Sequence, residues 1–128
     1  MSYLIDSDVL SSYLERDPTS LELVENLMLA GVAISIVPYM ERFQVTLQGH
    51  DPAASQHRHG VALASVPIPP LSIDVARRCA RLRHSLSSEG RRVRSRALDL
   101  MIAAIEHDLI LVTRNRSDYQ DIPDLRIL

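Results

Sequence analysis

Residues Val32–Val37 read VAISIV, a short β-branched run that is apolar on both faces. A strand with one wet face would alternate apolar and polar side chains; this one does not, so it belongs to a sheet covered on both sides, the usual condition of parallel strands. Two further short apolar runs fit the same sheet, Tyr3–Ile5 and Leu109–Thr113, with a last strand expected at Leu125–Leu128 and a Pro-rich edge strand at Val66–Leu71. Helical spacing fills the intervals. Val9–Leu14 follows the first strand. Asp17-Pro18 is a helix-start signal, an acid at the cap and Pro at the first helical position. It leads into Leu21–Ala30, which closes at Gly31. Pro38 opens a helix that contains Glu41 and runs to Gly49, Ser72–Leu86 is an Arg-studded amphipathic helix, Ser87–Ser95 a loop, and Ala97–His107 an apolar helix. A turn is expected at Asp118–Asp121. The alternation predicts an α/β fold, a three-layer α/β/α sandwich with a mostly parallel central sheet.

The chain has 128 residues, enough for one domain spanning 1–128 with a substantial core. With no Trp and one Phe, that core rests on Leu, Ile, Val and Ala. Asp6 and Asp8 interrupt the first apolar stretch, so no signal peptide is expected, and no apolar run is long enough to span a membrane. A lone cysteine, Cys79, rules out an internal disulfide, reads as a small buried hydrophobe, and fits a cytoplasmic protein.

All 14 basic residues are Arg, and they are unevenly spread. Residues 1–64 carry a formal charge of −5 and residues 65–128 one of +3, and eight Arg fall between Arg77 and Arg96. A solvated helix face and a surface for phosphates or an acidic partner both explain this. The polar stretch His50–Gly60 holds three histidines; without a nearby Cys it reads as a surface loop rather than a zinc site.

In an open α/β sheet, sites form outside the carboxyl ends of the strands. Asp6 ends the first strand, Glu41 is expected in the first turn of the helix after the second, Asp99 opens the helix feeding Leu109–Thr113, and Asp118 follows that strand. Any one of these acids is explained by capping or by the helix dipole. Several on one edge are not, because carboxylates within about 4–6 Å disfavour one another's charge. A hard divalent ion resolves that conflict, and Mg²⁺ or Mn²⁺ held by carboxylates is the expected cofactor.

The segments LIDSDVLSSYL at Leu4–Leu14, SIVPYMER at Ser35–Arg42, ALDLMIAA at Ala97–Ala104 and LVTRNRSDY at Leu111–Tyr119 together resemble PIN-domain nucleases. In order and spacing they resemble the VapC-type toxins of VapBC toxin–antitoxin pairs, over essentially the whole chain. That resemblance implies a Mg²⁺-dependent endoribonuclease that hydrolyses RNA phosphodiesters through a metal-activated water. It implies Asp6, Glu41 and Asp99 as metal ligands, with Asp118 or Asn115 completing the catalytic set and Thr113 orienting a carboxylate or water. A small antitoxin that blocks the site and a homodimeric state are the implied partners. Three positions depart from the family pattern. Asp8 stands where Asn is frequent, Asn115 where many members have an acid, and Tyr119 where Phe is commoner. The last exchange reads as harmless. Asp8 is read as the N-cap of the first helix in preference to a supporting role at the metal. Arg94, Arg96 and Arg114 are candidates for contact with RNA phosphates or antitoxin carboxylates.

Two other readings stand beside this one. A non-catalytic PIN-like protein, binding an antitoxin or regulating through its Arg-rich segment, would leave the acids idle at an electrostatic cost. Asp6-Ser-Asp8 also matches the opening of haloacid-dehalogenase-type phosphatases with Asp6 as nucleophile, but those enzymes use a Lys to neutralise the phosphoryl group and this chain has none.

Overall fold

The computed structural model describes residues 3–88, 104, 108–119, 122 and 125–128, with 86–88 and 118 described in their backbone only. Three strands, β1 (Tyr3–Ile5), β2 (Val32–Ile34) and β3 (Ile110–Val112), form a parallel sheet in the order β2-β1-β3. The register pairs Ile5 with Ile34 on one side and with Val112 on the other. The first strand in the sequence is therefore the central one, hydrogen-bonded along both edges.

Side chains alternate across this sheet as the pleat requires. Leu4, Ala33 and Leu111 face one side and pack with Val75 and Cys79 of α5 (Ile73–Ser88), with Ala104, and with Tyr119 and Ile122. Ile5, Val32, Ile34 and Val112 face the other. They meet Val9 and Leu10 of α1 (Ser7–Leu14), Val24 of α2 (Pro18–Met28) and Leu63 of α4 (Pro52–Leu63). Helices thus cover both faces, the three-layer arrangement anticipated from the both-faces-apolar run. Leu10 is fully buried, and such a side chain contributes about 1.5–3 kcal/mol relative to exposure. Cys79 is buried in the first of these clusters.

Several boundaries differ from expectation. α1 begins at Ser7, and its N-cap is Asp6, whose carboxylate accepts from the Ser7 amide; Asp8, expected to be the cap, lies inside the first turn. β2 stops at Ile34, and α3 (Ile36–Thr46) starts before Pro38 and ends before Gly49. Pro38 sits within the first helical turn, where a missing N–H costs nothing because those donors lack intrahelical partners. Glu41 consequently lies in the second turn of α3, not the first.

The segment His50–Gly60, expected as a loop, is mostly α4. Its N-cap Asp51 accepts from the Ala54 amide, and Pro52 is the first helical residue. Val66–Leu71 is not a strand. The Ile34 amide donates once to the Pro67 carbonyl, and Pro67, Pro69 and Pro70 have no amide hydrogen to extend the ladder. The C-terminal strand reduces to a single parallel bridge between Leu111 and Ile127; a 3-10 turn at Arg116–Asp118 precedes the expected turn at Asp118–Asp121, of which residues 120 and 121 lie outside the described residues. Of the expected helix Ala97–His107, only Ala104 is described; it is helical and buried. No helix among the described residues is long and apolar enough to cross a membrane.

Candidate active site

The register of the sheet builds the site. Because Ile5 pairs with Val112, the next residues on these parallel strands, Asp6 and Thr113, leave the sheet side by side at its carboxyl edge. The Asp6 amide donates to the Val112 carbonyl at 2.9 Å, carrying the ladder one step past β1. Asp6 is only 4% exposed. A buried carboxylate persists where its oxygens are hydrogen-bonded, and those of Asp6 are. Oδ1 accepts from the Ser7 amide at 2.6 Å, with the Ser7 hydroxyl further away at 3.4 Å. Oδ2 accepts from the Thr113 hydroxyl at 2.7 Å and from the Tyr119 hydroxyl at 3.0 Å. Thr113 spends its one hydroxyl hydrogen on Asp6 and accepts the Asn115 amide at 3.1 Å in return.

Asp8 joins the same group from the first turn of α1. Its Oδ1 accepts from the Val9 amide at 2.7 Å and its Oδ2 from the Asn115 side-chain amide at 3.1 Å. Burial, and then the charge of Asp6, push the Asp8 carboxyl above the usual range, against the opposing pull of the Val9 and Arg114 amides and the Arg114 guanidinium. Asp8 and Asn115 therefore form one hydrogen-bonded pair bridging α1 to the segment after β3. The two departures noted at these positions are coupled to each other in space.

On the other flank of β1, the pairing of Ile5 with Ile34 brings Ser35 to the same edge. Ser35 is the N-cap of α3, and its buried hydroxyl has no hydrogen-bond partner among the described residues. Glu41 projects from the second turn of that helix and is partly buried. The next residue, Arg42, ties α3 to α1, its Nη1 donating to the Ser11 hydroxyl at 2.8 Å and its Nη2 lying 3.9 Å from Glu15.

Asp6, Asp8, Thr113, Asn115 and Tyr119 are thus brought together directly. Arg114 is turned elsewhere. Its guanidinium donates to the Ser20 hydroxyl and lies 3.6 Å from Asp17, at the start of α2. Asp99, Arg94, Arg96 and the side chain of Asp118 lie outside the described residues. No group of three or more His, Cys, Asp or Glu among the described residues is arranged to hold a metal ion. The histidines of the former loop do not converge on one. His59 is buried, its ring edge-on to Tyr39 and Phe43, while His57 is exposed. Two neighbouring carboxylates, one buried and one half-buried, with the Thr113 and Tyr119 hydroxyl oxygens beside the first, suit a hard divalent cation.

Two of these residues carry little signal in the sequence: Tyr119 differs from the commoner Phe by one hydroxyl, and Ser35 lies inside an apolar run. Tyr119 follows the strand that pairs with β1, which is the signal that could have drawn it in.

The PIN domain family model matches residues 3–124. No curated protein matches the chain. Among solved structures, the chain resembles VapBC2 from Rickettsia felis bound to a promoter DNA fragment, with TM-score 0.88, 20% identity, and 100% of this chain and 98% of that one covered. DNA-bound VapBC from Salmonella typhimurium gives TM-score 0.89 at 18% identity, covering 100% and 97%. VapBC-5 of the VapBC toxin–antitoxin family from Mycobacterium tuberculosis gives 0.72 at 24% identity, covering 99% and 95%.

Proposed function

The chain belongs to the PIN domain family, and we propose on that footing that it is a Mg²⁺- or Mn²⁺-dependent endoribonuclease, the toxin of a toxin–antitoxin pair. The observation that carries this is the position of Asp6. It is a buried carboxylate at the carboxyl end of the central strand, with Asp8 beside it and Glu41 on the adjoining helix. Asp6, Glu41 and Asp99 would hold the cation, with Asp118 completing the catalytic set. When bound, it would polarise a phosphoryl oxygen and make water a nucleophile at neutral pH.

The chain's own residues prepare that site. Thr113 and Tyr119 hold Asp6 in one orientation, and the Ser7 amide at the start of α1 donates to its other oxygen. Asn115 fixes Asp8 at the rim. Of the basic residues, Arg94, Arg96 and Arg114 remain candidates for phosphate or antitoxin contact; α5 also exposes Arg77 and Arg81.

Two surface features support the partners. A cavity of about 500 Å³ lies among α1, α2, α3 and α4, lined by Tyr13, Leu14, Arg16, Arg42, His59 and Val61. Its apolar walls and basic groups suit an acidic, amphipathic antitoxin segment. Ile36, Met40, Phe43 and Leu47 are exposed at helical spacing along α3, an apolar stripe that a homodimer would bury.

The test is cleavage of single-stranded and structured RNA by the purified chain in Mg²⁺, with chelator as control. The expected result is metal-dependent endonucleolytic cutting that Asp6→Asn and Asp99→Asn abolish. Wild-type rates in both variants would assign the chemistry to other residues. Antitoxin-like binding without any cleavage would favour the non-catalytic alternative.

A further inference from the structure

We propose that Tyr119 determines how many oxygens Asp6 can offer a cation, and thereby which cation the site prefers; this rests on the metal-dependent function proposed above. A carboxylate oxygen has two lone pairs. Oδ2 of Asp6 has both engaged, by the Thr113 hydroxyl at 2.7 Å and the Tyr119 hydroxyl at 3.0 Å. Oδ1 has one engaged by the Ser7 amide at 2.6 Å, and the Ser7 hydroxyl at 3.4 Å is too distant to claim the other firmly. Asp6 is left with one oxygen, Oδ1, for a metal.

Tyr119 holds its place because its ring is part of the core. It is 4% exposed and packed in the cluster that includes Leu4, Leu109 and Ile122. Its hydroxyl therefore cannot swing away from Oδ2 without moving that cluster. The Thr113 hydroxyl is anchored from behind by the Asn115 amide. The two donors form a rigid stop on one side of the carboxylate.

The consequence is selectivity. Mg²⁺ demands near-octahedral coordination and is commonly bound by one or two carboxylates with several waters, whereas Ca²⁺ takes six to eight oxygens and often grips a carboxylate by both. An Asp6 limited to one oxygen disfavours Ca²⁺ more than Mg²⁺. Tyr119→Phe keeps the ring and removes the stop, returning one lone pair to Oδ2. Tyr119 is on this account a positioning residue that acts through Asp6.

The experiment titrates metal-free wild type and Tyr119→Phe separately with MgCl₂ and CaCl₂, reading dissociation constants by calorimetry and by the rise in melting temperature. The ratio of Ca²⁺ to Mg²⁺ affinity should move toward Ca²⁺ on the order of tenfold, the low end of what a change beside a metal ligand does to affinity for a single metal. Thr113→Val frees the other lone pair of Oδ2 and should move the ratio the same way, so a poorly folded Tyr119→Phe would not block the test. If Tyr119 only packs the core, both affinities move together, and an unchanged ratio in both variants overturns its role. If wild type binds neither cation, the metal-dependent function itself falls and the role of Tyr119 falls with it.

Discussion

Thr113→Val is the most informative single change, because it removes one hydroxyl at nearly constant volume. In wild type that hydroxyl donates at 2.7 Å to Oδ2 of a buried Asp6. A hydrogen bond to a charged acceptor contributes about 1.5–3 kcal/mol and a neutral one about 0.5–1.5. The Asn115 amide also loses its acceptor, but Asn115 is exposed and water replaces it at little cost. The metal-free variant should thus lose about 2 kcal/mol. In an Asp6→Asn background the same substitution breaks a neutral bond and should cost about 1 kcal/mol. The cycle therefore predicts a coupling of about 1 kcal/mol between the two positions. Urea unfolding of the four proteins measures it, provided the denaturant slope is unchanged. Equal costs in both backgrounds, or a wild-type cost near zero, would refute the claim that Thr113 anchors the Asp6 carboxylate.

Three further outcomes follow from the same structure. The raised Asp8 pKa makes its charge a burden in the folded state, so this group stabilises the fold only below that pKa and the contribution is lost as pH rises through it. Asp8→Asn should accordingly stabilise the metal-free protein at neutral pH, with the advantage vanishing in acid; a urea midpoint series against pH checks it, and no difference at neutral pH would count against a carboxylate held up by burial and by Asp6. His59 has the opposite sign. Burial first, and Arg42 second, lower its pKa from the ordinary 6.5, so stability should fall as pH drops below that value, and His59→Phe should remove the slope when melting temperature is followed against pH. Gly60 lies inside α4 with nothing within 4 Å of an added Cβ, so Gly60→Ala should stabilise by about 0.5–1 kcal/mol in urea unfolding, and a loss would mean the helix is not formed there.

The layered fold was legible because it depends on coarse pattern. The run at Val32 announced a sheet with two covered faces, and Asp17-Pro18 announced α2. The same pair recurs at Asp51-Pro52 and starts α4, inside a stretch whose polar composition reads as a loop. α4 buries little besides His59 and Leu63, so it lacks the apolar periodicity that marks a helix by sequence. The end of β2 was blurred for the converse reason. Ile36 and Val37 continue an apolar run while the backbone has already turned helical, and Ser35, the cap before them, looks like one polar residue in a strand.

At the site, Asp6 was recognisable from its place at the end of the first strand. Its hydrogen-bond partners were not, since they follow from the register that puts Val112 beside Ile5. Thr113 entered only through family resemblance. A Phe-to-Tyr exchange at Tyr119 looks neutral in sequence until the ring is packed with its hydroxyl on a carboxylate. The Asp8–Asn115 pair shows the same limit. Two separate departures from a pattern become one hydrogen bond once the chain folds.

The central claim, that a hard dication neutralises carboxylates gathered around Asp6, is tested most directly by melting the protein across a Mn²⁺ series. At about 100 times the dissociation constant, wild type should gain roughly 2.7 kcal/mol, and Asp6→Asn should gain none. No stabilisation of wild type at millimolar Mn²⁺, or an equal gain in the variant, would contradict it.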